Sequence, residues 1–158
     1  MDIDLSRLEE LGNKLEIDSK LDFENLKYQN RLIKIPEPLN LNIVVYKGDQ
    51  SFIFTGEITG QISLECSRCL EFFLLDIEVE VDKEVSPEDI EDLKHFDLKQ
   101  LLQPDLYLAV PIKPLCSDDC EGICPHCGQN LNEGQCDCTT EDVDPRMAKL
   151  KDFYNEES

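Results

Sequence analysis

The chain has no tryptophan and two histidines, and it sets 15 Lys+Arg against 35 Asp+Glu for a formal net charge of −20. Each shortage excludes something. So few cations speak against general binding of a phosphate backbone, which needs a Lys/Arg surface that releases counterions. No Ser/His/Asp arrangement stands out and there is no glycine-rich phosphate loop, so catalysis has little support. No apolar run approaches the ~18 residues of a membrane span. Residues 1–20 carry Asp2, Asp4, Glu9 and Glu10 where a secretory leader needs a basic start and an apolar stretch. A cytoplasmic address is expected, with neither a membrane nor DNA as partner.

Cysteine, by contrast, is abundant. The eight cysteines fall in close pairs: Cys66/Cys69, Cys116/Cys120, Cys124/Cys127 and Cys136/Cys138. In a reducing compartment, clustered cysteines read as metal or redox chemistry more than as disulfides. A thioredoxin-type pair should lie between a strand and a helix, whereas Cys66/Cys69 lies between two strand-like segments. Four pairs match no ferredoxin run. Closed structural zinc sites take four Cys or Cys/His ligands, so two zinc ions account for all eight thiols. Cys124-Pro-His-Cys127-Gly128 is a zinc-knuckle sequence, and Cys136-Asp-Cys138 returns after a short polar loop. These four are expected in one site. Cys66, Cys69, Cys116 and Cys120 are expected in the other, although four pairs allow three pairings. Short loop closure favours this one. His126, inside the knuckle, and His95 are expected not to be ligands.

The rest of the chain reads as α+β: an antiparallel, hairpin-built sheet with a few short helices and a zinc-stapled C-terminal tail. The body is expected over 1–114 and the Cys-rich tail, packed on it, over 115–158. Residues 2–11 suggest a short strand and a helical turn at Ser6–Leu11, and residues 13–37 show no clear period. Leu39, Leu41, Ile43 and Val45 alternate as one face of a strand, with a turn at Lys47–Gln50. Residues 51–58 read as the return strand, Thr59-Gly60 as a turn, and 61–66 as a third strand. In 70–84, Ile77, Val79 and Val81 alternate with Asp76, Glu78, Glu80, Asp82 and Glu84, so one face is apolar and the other carries carboxylates. Ser86-Pro87 suggests a helix start, with the helix over 87–94. Asp97 caps a second helix with Leu98, Leu101 and Leu102 inward and a kink or restart at Pro104. The tail is poor in aliphatic residues, so metal would have to supply its folding energy. Arg7, Lys14, Lys20, Lys27, Arg31 and Lys34 concentrate basic charge in the first 35 residues.

Three motifs occur in order: Cys66-Ser-Arg-Cys69-Leu70; Leu108-Ala-Val-Pro-Ile-Lys-Pro-Leu-Cys116; and Cys120-Glu-Gly-Ile-Cys124-Pro-His-Cys127-Gly128-Gln-Asn-Leu-Asn132. Together with Asp144-Pro145-Arg146 and Lys149-Leu150, they resemble the YceD family, the large ribosomal RNA subunit accumulation proteins. The motif likeness covers 66–151, and residues 1–60 carry none of it. The resemblance implies a bacterial or organellar factor that supports synthesis, processing or stability of large-subunit ribosomal RNA, without enzyme activity. It also supports grouping Cys66 and Cys69 with Cys116 and Cys120. Pro104 departs from the unbroken leucine-rich helix expected of the family. Because the chain is so acidic, the expected partner is a basic ribosomal or assembly protein. Direct RNA contact is expected only locally, through Arg68 and Arg146. The competing reading is a zinc-dependent RNA-binding regulator or RNA-processing enzyme.

Overall fold

A computed structural model describes residues 1–8, 13–28 and 31–138. The strands are β1 (Asp2–Ile3), β2 (Lys14–Leu21), β3 (Leu26–Tyr28), β4 (Arg31–Ile33), β5 (Leu39–Lys47), β6 (Phe52–Glu65), β7 (Phe72–Val85) and β8 (Phe96–Asp97); helix α1 spans Leu98–Ala109. The main sheet is antiparallel, in the order β2-β5-β6-β7. Its strands alternate, and the apolar set lies on one side. Leu39, Leu41, Ile43, Val45, Phe54, Ile58 and Val81 are almost wholly inaccessible. Helix α1 supplies Leu98, Leu102 and Leu106 to the same core, one stripe at i, i+4, i+8. Asp97 caps that helix by accepting the Lys99 N–H at 3.0 Å. The chain start pairs with β8, and the N-terminal ammonium sits 3.2 Å from Asp97 Oδ1.

β6 and β7 form a hairpin with 14 residues in each strand, roughly 45 Å long at ~3.3 Å per residue. The hairpin outreaches β5, whose pairing with β6 ends at Thr59. Beyond that point the small β3–β4 hairpin takes over, with Lys34 bridged to Ser63. The tip of the long hairpin, Cys66–Leu70, is therefore carried at one end of the sheet.

The α+β expectation does not hold. The protein is mostly antiparallel sheet, and among the described residues there is one α-helix, Leu98–Ala109. The expected helix over 87–94 is a single 3-10 turn, Pro87–Asp89, and Ile90 is already extended at φ −107° and ψ 112°. Ser86 makes no side-chain cap bond. Ile90 and Leu93 are the apolar residues of the segment and are half-buried, so a helix there would bury too little to repay nucleation. Extended backbone instead lets the Leu93 carbonyl accept the Leu5 N–H at 2.7 Å. In the other direction, α1 runs through Pro104 without a break. Pro104 is exposed, and its cost inside a helix, about 3 kcal/mol from the lost hydrogen bond and the ring's clash with the preceding turn, is outweighed by burial of three leucines at ~1.5–3 kcal/mol each. Leu101 is half-buried, and Leu106 takes the inward place.

Two strand readings change as well. Thr59-Gly60 is no turn, because β6 continues through it opposite Glu78 and Ile77. Glycine serves close approach here. A Cβ at Gly60 would meet Leu39 Cδ2 at 2.7 Å, and one at Gly56, on the same strand, would meet the Asn42 carbonyl oxygen at 2.0 Å. Residues 14–21, read as lacking a period, are β2, with Ile17 and Leu21 buried.

Candidate metal centres

The hairpin tip and the segment after α1 converge on the first thiol group. Sγ atoms of Cys66, Cys69, Cys116 and Cys120 all lie within 4.8 Å of one another. Cys66 and Cys120 sulfurs are 3.8 Å apart, and Cys69 and Cys116 sulfurs 3.7 Å. In a regular tetrahedron, edges of that length put the centre ~2.3 Å from each sulfur, the metal–thiolate distance of zinc. Cys124, Cys127, Cys136 and Cys138 form the second group, again within 4.8 Å. The donor sets fit a tetrahedral divalent metal.

The two CxxC knuckles are built alike. In the first, the Arg68 N–H points at Cys66 Sγ (3.4 Å) and the Leu70 N–H donates to the Cys66 carbonyl (3.1 Å). In the second, the His126 N–H points at Cys124 Sγ (3.4 Å) and the Gly128 N–H donates to the Cys124 carbonyl (2.9 Å). The turn requires positive φ at its fifth residue. Gly128 adopts 77° without steric cost, whereas Leu70 adopts 64° with a side chain attached. His126 thus contributes its backbone, and its imidazole is outside the thiol group. His95 is exposed and pairs with Asp92 at 2.9 Å.

Aimed N–H groups make ionisation uneven. Burial raises the Cys66 thiol, but N–H groups of Cys69, Arg68 and Cys116 outweigh it and bring the pKa down to about 6. N–H groups of Cys127 and His126 bring Cys124 to about 6 as well. At Cys69 the Glu71 N–H favours the thiolate, but burial and the surrounding thiols prevail and push the pKa up to about 12. The Cys127 thiol and burial push Cys138 to about 12. Four thiolates this close repel one another, and a divalent cation bound among them would let all four ionise.

Side chains not assigned that role from the sequence hold the centres together. Arg68 Nη1 donates to the carbonyls of Cys120 (2.8 Å) and Asp118 (3.3 Å), bracing the loop that supplies the last two ligands. The Ser67 N–H donates to the Pro114 carbonyl at 2.8 Å. Asn132 connects the two centres. It sits in the small hairpin that bears the second knuckle, its Nδ2 lies 3.5 Å from Cys120 Sγ, and its Oδ1 accepts the Glu121 N–H at 2.9 Å. Arg68, expected as a local RNA contact, is thus engaged with the tail backbone. Arg146 and the Asp144–Leu150 motif lie outside the described residues.

The sheet's other face is open and acidic. Asp76, Glu78, Glu80, Asp82 and Glu84 stand exposed along β7. Glu57 is directly opposite Glu80, and β2 adds Glu16 and Asp18 on the same side together with Lys14 and Lys20, Lys14 pairing with Glu16 at 2.6 Å. Lys83 faces the other way and pairs with Asp105 of α1 at 3.1 Å. Among the described residues no helix is long and apolar enough to cross a membrane.

An antiparallel sheet with a tail folded around two groups of four cysteines is the class that fold and site define. Residues 54–154 match the family described as Large ribosomal RNA subunit accumulation protein YceD, and the chain belongs to that family. Relatives include uncharacterized proteins of Mycobacterium bovis and Mycobacterium tuberculosis, each 29% identical over 134 residues that cover 76% of this chain and 64% of theirs. One from Mycobacterium leprae is 27% identical over 132 residues, covering 73% of this chain and 59% of its own. The chain therefore spans just under two thirds of the length of these curated relatives. No solved structure shows a significant match.

Proposed function

We propose that the protein is a non-enzymatic, cytoplasmic ribosome-biogenesis factor. It supports synthesis, processing or stability of large-subunit ribosomal RNA by holding a basic ribosomal or assembly protein on the open face of its sheet. Zinc fills both thiol groups and has a structural role. Family membership supplies the link to ribosomal RNA. The observation that favours a basic protein is the carboxylate row along β7, extended by Glu57 and Asp18 across the sheet. Such a field draws in a basic partner and speeds its encounter, while it repels phosphate over distances near the Debye length of about 8 Å. Two four-cysteine donor sets leave no open metal position for substrate or water, which favours a structural over a hydrolytic role.

Binding to purified basic large-subunit proteins tests this. Affinity is expected to fall steeply between low and physiological salt, and a Glu78→Lys/Glu80→Lys/Asp82→Lys variant is expected to lose at least tenfold. Unchanged affinity in that variant contradicts the assigned face.

A further inference from the structure

A groove opens beside the first thiol group, between β4, the Cys66–Leu70 knuckle and the segment leading from α1 to Cys116. One lobe, about 410 Å³, is lined by Arg31, Ser67, Arg68, Lys113 and Leu115. The adjoining lobe, about 320 Å³, shares Arg31 and Ser67, adds an apolar floor that includes Leu64, Leu70 and Pro114, and carries one carboxylate, Glu65. A chain with a net charge of −20 has placed three cations and no carboxylate around the first lobe. Both guanidinium groups are held: Arg31 Nη1 donates to the Ile112 carbonyl at 2.6 Å, and Arg68 Nη1 donates to the Cys120 carbonyl at 2.8 Å. A guanidinium has five donors, so each keeps N–H groups for a ligand while its orientation is already set, which reduces the entropy lost on binding. Lys113 is exposed. Leu70 and Ile112, 52% and 89% exposed, stand close by as apolar surface.

We propose that this groove binds the backbone of single-stranded RNA, with a phosphate in the cationic lobe and the adjacent base against the apolar floor. An RNA strand sets a flat, apolar base beside each phosphate, and one cationic lobe next to one apolar lobe matches a single such nucleotide. The proposal deepens the ribosomal RNA reading and rests on it for the identity of the polyanion; the anion site itself rests on the groove. Together the two faces would make the protein a bridge, with a basic protein on the sheet and RNA at the knuckle end. Affinity for naked RNA stays low at physiological salt, because three cations work against the field of the whole chain.

Anisotropy of a fluorescent 12-nucleotide single-stranded RNA, titrated with the full zinc-loaded chain at ~50 and ~200 mM salt, tests the groove. About three contacts at ~0.7 counterions each predict a slope near −2 and a roughly fifteenfold loss of affinity over that range. Lys113→Glu is expected to weaken binding at least tenfold at the lower salt while metal content and circular dichroism stay unchanged. Arg31→Gln is a second variant with the same expected direction. Wild-type protein that fails to bind at ~50 mM salt, or a Lys113→Glu variant that binds as well as wild type, overturns the proposal. So does a glutamate-rich peptide of equal length that binds more tightly than the RNA, since the groove would then serve a protein. Failure of the ribosomal RNA reading is separable: cells lacking the protein would keep normal large-subunit RNA, while the measured affinity of the groove would stand.

Discussion

At the scale of single residues, the two knuckles offer an internal comparison. Their hydrogen bonds match, yet the positive-φ position is Gly128 in one and Leu70 in the other. A left-handed conformation costs a branched side chain roughly 1–2 kcal/mol, while replacing it with glycine gives back roughly 0.4–1 kcal/mol through the freer unfolded chain. Leu70→Gly is therefore expected to raise stability by up to about 1 kcal/mol, and Gly128→Leu to lower it by about 1 kcal/mol, in urea unfolding of the metal-loaded protein. A loss of more than 1 kcal/mol in Leu70→Gly would show that the Leu70 side chain matters more than its backbone strain. The cysteines were legible from type and spacing alone, because few other residues supply four soft ligands. Arg68 and Asn132 were harder. Their roles depend on carbonyls and a sulfur brought from 50 or 52 and from 12 residues away, and no local pattern encodes that.

At the scale of elements, the thiol groups divide the labour. Cys66 and Cys69 end the long hairpin, so the first centre staples the tail to the sheet. The second holds a small hairpin with little core of its own, and a metal bound there would supply its folding energy. Wild-type protein should contain about two zinc ions per chain, and Cys124→Ser about one. Hydrogen exchange should then show loss of protection over 120–138 with the sheet intact, whereas Cys66→Ser should also loosen the far ends of β6 and β7. Equal, global loss in both variants contradicts this partition, and metal content near zero or an iron chromophore contradicts zinc. Element reading succeeded where alternation was uninterrupted, as in Leu39–Val45. It failed where one polar residue broke the count, as Ser19 does in β2. It also failed where glycine signalled close packing in place of a turn, at Gly60, and where good helix-start residues at 86–88 had no apolar stripe behind them.

At the scale of the whole molecule, each sign of charge has a cluster of its own. The open face of the sheet carries the carboxylate row, and the knuckle end gathers Arg31, Arg68 and Lys113. Composition announced the first of these but hid the second, since three cations vanish in a total of −20. The link to ribosomal RNA comes from family membership, and the sheet face carries the proposed way in which the protein acts on it. The most direct test replaces the native chain in cells with the Glu78→Lys/Glu80→Lys/Asp82→Lys variant and measures the ratio of large- to small-subunit ribosomal RNA. With the variant folded and present at normal level, the ratio should fall as far as it does when the protein is removed; a ratio indistinguishable from wild type would contradict the account.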